Sequence, residues 1–139
     1  MTDPAILASD LRLVMGQLIR RLRAERRSLS LAQVSVLGHL ERNGPTGTSA
    51  LAATERVRPQ SMAATVAALE AAAMVTRRPD PDDGRRALIE LTDAGRATIV
   101  ADRRRREGWL AQAIERDLNA RERRILAEAT TLLARLADG

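Results

Sequence analysis

The chain has 139 residues, 45% hydrophobic and 29% charged, which is enough apolar material for one core and too much for a disordered chain. Its 23 basic residues, every one an arginine, outweigh 18 acids for a formal charge of +5, the balance of a protein that meets nucleic acid or another anionic surface. The absence of cysteine excludes disulfides and thiolate metal sites, no apolar run nears the roughly 20 residues of a bilayer span, and Asp3 and Asp10 flank the first apolar residues where a signal peptide would forbid them, so a cytoplasmic protein with no membrane partner is expected.

Ile6, Leu7, Leu11, Val14, Leu18, Ile19 and Leu22 recur at helical spacing along one stripe and predict a first helix. Arg20, Arg21, Arg23, Arg26 and Arg27 close it, where cations suit the helix dipole. Ser30-Leu31-Ala32-Gln33 is a capping box and predicts a second helix through Val34, Val36, Leu37 and Leu40, stopped by Asn43-Gly44-Pro45. Thr46-Gly47-Thr48 has room only for a bridging strand, and Thr48 is expected to cap a short third helix from Ser49 to about Glu55. Pro59 suits the first position of a fourth helix, with Met62, Val66 and Leu69 inward and an end near Ala73.

Val75 to Arg78 and Ala87 to Leu91 read as two short strands around an acidic turn. That turn is too long for a two-residue hairpin and projects as a tongue. Thr92 can cap a long fifth helix to about Asp117, with Ile99, Trp109, Leu110, Ala113 and Ile114 on its apolar side. A second capping box, Asn119 to Glu122, opens a sixth helix carrying Ile125, Leu126, Leu132, Leu133 and Leu136.

Residues 46 to 92 thus contain a short helix, a tight turn, a second helix and a two-stranded tongue, the order of a winged helix-turn-helix. The expected fold is mainly α with a small β-wing, in a single compact protomer. Residues 1–27 form an N-terminal helix, 28–92 the DNA-binding region, and 93–139 the C-terminal helices. The flanking helices are read as dimerisation elements, since a two-fold dimer doubles the contacts over half-sites about 10 bp apart.

The second helix of such a pair fits the major groove, with its N-terminal residues against base edges. Gln60 can pair bidentately with adenine, Ser61 can reach a base or a phosphate, and Ala64 can touch a thymine methyl. Arg58 at the helix start reads as a phosphate clamp. Arg77 and Arg78, on the first strand of the tongue, are either solvated or on phosphate. Asp83 is expected to pair with an arginine and fix its guanidinium, so that Arg85, beside Arg86 at the tip, enters a narrow minor groove. Asp80, Asp82 and Asp83 also fit plain turn chemistry, and a metal reading lacks the downstream Glu of a calcium loop.

The segments Leu51-Ala52-Ala53 to Leu69-Glu70, Met74 to Arg78, Asp80 to Arg86 and Leu91-Thr92-Asp93-Ala94-Gly95-Arg96 resemble the MarR family of bacterial regulators. The resemblance extends over nearly the whole chain. It places the wing Asp and Arg of that family at Asp83 and Arg85. It implies a homodimer on a palindromic operator, often released by small anionic or phenolic ligands. Three positions depart from the pattern: Ala73 where a Gly is common, Arg58 where a Ser or Asp commonly precedes the proline, and alanines on the outward face of the recognition helix.

An effector lining of Met15, His39 and Trp109 is one expectation, for a small aromatic or anionic molecule; packing roles are the alternative for His39 and Trp109. Arg103 to Arg106 is a solvated face or an anion site toward the first two helices. One histidine, no Cys, no Tyr and no glycine-rich phosphate loop leave no catalytic set, so no enzyme, metal or cofactor is expected. The expected function is a sequence-specific double-stranded DNA-binding transcriptional regulator, a ligand-responsive repressor acting as a homodimer. The alternative is a non-specific architectural nucleic-acid-binding protein; RNA modules stack bases on aromatics, which this chain lacks.

Overall fold

Local signals start most of the helices where the sequence places them. The computed structural model describes residues 1–25 and 29–139. The predicted closure of the first helix by Arg26 and Arg27 lies outside the described residues. Helix α1 (Pro4–Arg23) is capped by the Asp3 carboxylate, which accepts the Ala5 N–H at 2.8 Å. Helix α2 (Leu31–Asn43) begins at the predicted box: Ser30 Oγ accepts the Gln33 N–H at 3.1 Å and Gln33 Oε1 accepts the Ser30 N–H at 2.9 Å. Leu29 and Val34, at the staple positions on either side of the box, both join the core.

Strand β1 (Thr46–Gly47) feeds directly into α3 (Thr48–Glu55). Thr48 is not the cap that the sequence suggests. Gly47 holds that position because it is pinned in extended conformation opposite Leu88, so Thr48 is already helical and no side chain caps the first turn. A tight turn leads to α4 (Pro59–Ala71), followed by β2 (Val75–Pro79), β3 (Ala87–Leu91), α5 (Asp93–Asp117) and α6 (Ala120–Asp138). The sheet order is β1-β3-β2, antiparallel throughout, with Thr46 opposite Ile89 and Val75 opposite Leu91.

The core sits under this winged unit. Leu37, Leu40, Leu51, Val66, Leu69, Ile89 and Ile99 are almost fully buried, so α2 to α5 and the sheet share one apolar cluster. Helices α1 and α6 contribute no fully buried residue.

Helix α4 ends at Ala71, two residues earlier than expected. The Met74 N–H returns to the Leu69 carbonyl at 2.9 Å and the Ala73 N–H to Glu70 at 3.0 Å. That is a Schellman closure, which demands a left-handed residue, and Ala73 supplies it at φ 60. The glycine common here in the resembling family has its reason in that angle. Arg56 closes α3 in the same way at φ 54, with Val57 bonded to Ala52.

The Leu-Thr-x-x-Gly run joins these pieces. Thr92 Oγ1 accepts the Gly95 N–H at 3.0 Å and donates to the Ala73 carbonyl at 2.7 Å, while the Thr92 N–H donates to the Met74 carbonyl at 3.1 Å. A Cβ on Gly95 would lie 2.0 Å from the Met74 carbonyl oxygen. The first turn of α5 is therefore clamped to the end of α4.

Candidate nucleic-acid interface

Met62, Val66 and Leu69 are buried, so helical register turns Gln60, Ala64, Ala67 and Ala71 outward. Gln60 and Ala64 are exposed, and among the described residues no hydrogen bond engages the Gln60 amide. Ser61, also exposed, sits round the helix toward α2 and lines a cleft with Leu31, Ser35 and Thr65. Thr65 spends its hydroxyl on the Ser61 carbonyl at 3.0 Å. Arg58 occupies the N-cap position of α4 with no side-chain cap bond, and its guanidinium is left without an acidic partner among the described residues.

The wing tip is built by turn chemistry. Asp80 Oδ1 accepts the Asp82 N–H at 2.9 Å, and Asp83 Oδ1 accepts the Arg85 N–H at 3.1 Å. The expected buttress exists in altered form. Asp83 holds the backbone of Arg85, but its carboxylate pairs with Arg86, Nε to Oδ2 at 3.6 Å. The spacing explains the change, because Arg86 returns its own N–H to the Asp83 carbonyl and so folds back over it. Among the described residues the Arg85 guanidinium has no acidic partner.

Arg77 and Arg78 are neither simply solvated nor bare cations. Arg77 Nε reaches Glu70 at the end of α4 at 3.2 Å, and Arg78 Nε reaches Glu90 on β3 at 3.4 Å. The first pair ties the wing to α4. A cleft of about 390 Å³ separates the wing base from the start of α3, lined by Thr48, Ser49, Arg77, Asp80 and Arg86. The uncapped first turn of α3 offers its N–H groups there, the kind of surface that suits a backbone phosphate. Sequence reasoning misses this seat because it assigns Thr48 to the cap.

The arginine run on α5 splits. Arg103 donates a hydrogen bond to Glu41 on α2, and this contact raises its guanidinium pKa above the ordinary value. Arg106 Nε donates to Asp102 at 2.8 Å, and Asp102 is buried. Arg104 and Arg105 are exposed. Asp102 is a buried charge that the sequence reading passes over, although its i,i+4 spacing to Arg106 is visible there. Between α2 and α5 runs a cleft of about 410 Å³, lined by Arg42, Arg103, Arg106, Glu55, Glu107 and Ile99 among others.

Met15, His39 and Trp109 do not line that cleft. His39 is buried in α2, with Asn43 Nδ2 donating to its carbonyl at 3.1 Å. Trp109 is half-buried under the Arg21 guanidinium, 4.4 Å from ring centroid to Cζ, and Met15 is exposed on α1. Among the described residues no group of three or more His, Asp or Glu side chains is arranged to hold a metal ion, and no helix is long and apolar enough to cross a membrane.

The MarR family model matches residues 27–86, which take in α2 to α4 and the wing as far as its tip arginines. An HTH-type transcriptional regulator of Mycobacterium tuberculosis is 42% identical over 136 residues, covering 96% of this chain and 94% of that protein. One of Mycobacterium leprae is 40% identical over the same length, with the same coverage. Among solved structures, a Pseudomonas aeruginosa protein described as a transcriptional regulator shares 35% identity at a TM-score of 0.82, covering 97% of this chain and 95% of that one. A MarR family protein from Bacillus stearothermophilus, 20% identical at a TM-score of 0.84 and with the same coverage, shares the fold. With its recognition helix, wing and helical flanks in that arrangement, the chain belongs to the MarR family of DNA-binding winged helix-turn-helix transcriptional regulators, which are not enzymes.

Proposed function

We propose that the protein is a homodimeric, effector-responsive repressor. It sets two α4 helices and two wings on the half-sites of a palindromic operator, in the cytoplasm where that DNA lies. One observation carries the dimer. Leu7, Val14, Leu18 and Ile19 on α1, and Ile125, Leu126, Leu132 and Leu136 on α6, are 40–70% exposed along two apolar stripes. Contiguous apolar surface of this kind is rare on a monomer, and a second copy of the same two helices covers it.

Arg58, Gln60, Ser61, Ala64, Arg85 and the seat at α3 are the DNA side of this reading, with Arg77, Arg78 and Arg86 held in ion pairs beside them. The effector is a small aromatic or anionic molecule. In the cleft between α2 and α5, Arg103 and Arg106 are paired with Glu41 and Asp102 and share the lining with Glu55 and Glu107, so support for the anionic choice rests on Arg42. The separation of Met15, His39 and Trp109 weighs against those three as one seat.

Competition binding tests the reading. The purified protein is expected to hold the promoter fragment of its own gene under excess random DNA, and light scattering at micromolar concentration is expected to give twice the chain mass. Retention lost to random DNA would instead favour the architectural reading.

A further inference from the structure

We infer that Gln60 is the one residue through which α4 reads base identity by hydrogen bonding, and that each operator half-site presents it an adenine flanked by A·T pairs. The inference rests on the operator-binding reading above and names the DNA chemistry that reading requires. Three observations lead to it. Along the outward stripe of α4, Gln60 is followed by Ala64, Ala67 and Ala71, so it alone there carries a hydrogen-bonding side chain. Its amide is exposed and unengaged among the described residues, free to form the bidentate contact to adenine N6 and N7 that its geometry matches. Of the two neighbouring hydroxyls, that of Thr65 is spent on the Ser61 carbonyl, and Ser61 stands beside the stripe rather than on it, at the cleft against α2, a place for a phosphate contact.

The alanines then act by apolar contact. A thymine methyl is the one apolar group that any base pair presents in the major groove, and an alanine methyl can pack on it. A G·C pair in the same place lacks that methyl and offers Ala64 no apolar group to pack on, so the contact is lost there. Short side chains also let the helix backbone approach closely, so the methyl contact is within reach.

Selection from randomised duplexes with the full-length protein tests this, run in parallel with Gln60→Ala. Gln60 is solvent-exposed, so the variant is expected to fold normally, and circular dichroism checks that. The expected motif carries adenine at one fixed pair of each half-site with A·T pairs beside it. Gln60→Ala is expected to flatten the preference at that pair and to weaken binding to the selected site by roughly 5- to 150-fold per half-site. Replacing the adjoining thymines by deoxyuridine, which removes only the methyl, is expected to weaken wild type as well. A motif with G·C at those pairs, or one that Gln60→Ala selects unaltered, would overturn the assignment while leaving the regulator reading intact. Emergence of no motif at all would overturn the operator reading, and the assignment with it.

Discussion

Arg58 shows how one residue can be chosen against local stability. It holds the N-cap of α4 with φ −67 and ψ 145, the backbone geometry of a cap, but its side chain accepts nothing from the first turn. A serine there would satisfy one of the free N–H groups, worth about 0.5–2 kcal/mol. Arginine instead places a cation, unfavourable to the helix dipole, where α4 would meet DNA phosphates. Arg58→Ser is therefore expected to raise the thermal midpoint while weakening operator binding at fixed salt. Calorimetry and gel-shift titration of the same preparation read the two effects, and a variant that gains stability without losing affinity would remove Arg58 from the interface. Ala73 makes a simpler case. At φ 60 it bears the strain that an L-residue meets in the left-handed region, about 1–2 kcal/mol. Glycine's greater freedom in the unfolded chain offsets part of the relief, so Ala73→Gly is expected to stabilise by less than about 1 kcal/mol.

Among elements, the junction of α4, β3 and α5 sets the orientation of the recognition helix. Thr92 spends its hydroxyl twice, as cap to α5 and as donor to the carbonyl of Ala73, and Gly95 allows the two backbones to meet. Gly95→Ala would drive a methyl into the Met74 carbonyl, backbone that cannot step aside, and is expected to cost at least about 3 kcal/mol in urea unfolding. A loss under 1 kcal/mol would mean that the junction yields. This level also separates what the sequence discloses from what it conceals. The boxes at Ser30 and Asn119 and the Thr92 cap are local, each a hydrogen-bonding side chain three residues from its partner, and they are visible in the bare sequence. The alternation of Ala87, Ile89 and Leu91 likewise reveals the wing. The left-handed closures at Arg56 and Ala73 carry no glycine to announce them. The pairs Arg77–Glu70, Arg78–Glu90 and Arg103–Glu41 join residues on different elements, so their existence depends on tertiary packing that periodicity does not encode. For the same reason the sequence supplies the wing's Asp83 and Arg85 yet not which arginine the carboxylate takes.

For the whole molecule, a net charge of +5 says less about DNA than the distribution of unpaired cations. On the wing most of the basic charge is already neutralised: Arg77, Arg78 and Arg86 each face a carboxylate on or beside it. Arg85 does not. If two protomers each insert one Arg85, counterion release should fall when it is removed. The slope of log affinity against log salt is about −0.9 per phosphate neutralised, so Arg85→Ala is expected to make it shallower by about 2 per dimer, with affinity lowered by roughly 1–3 kcal/mol per half-site. The double variant Arg78→Ala with Glu90→Ala removes a pair that is neutral overall and is expected to leave the slope almost unchanged. Salt titrations by fluorescence anisotropy on one operator fragment distinguish the cases. A slope change near 1 for Arg85→Ala would mean that only one wing touches the duplex, at odds with a symmetric dimer. Equal changes for the two variants would mean that the ion pairs seen in the free protein open on DNA, and that charge count rather than pairing governs binding.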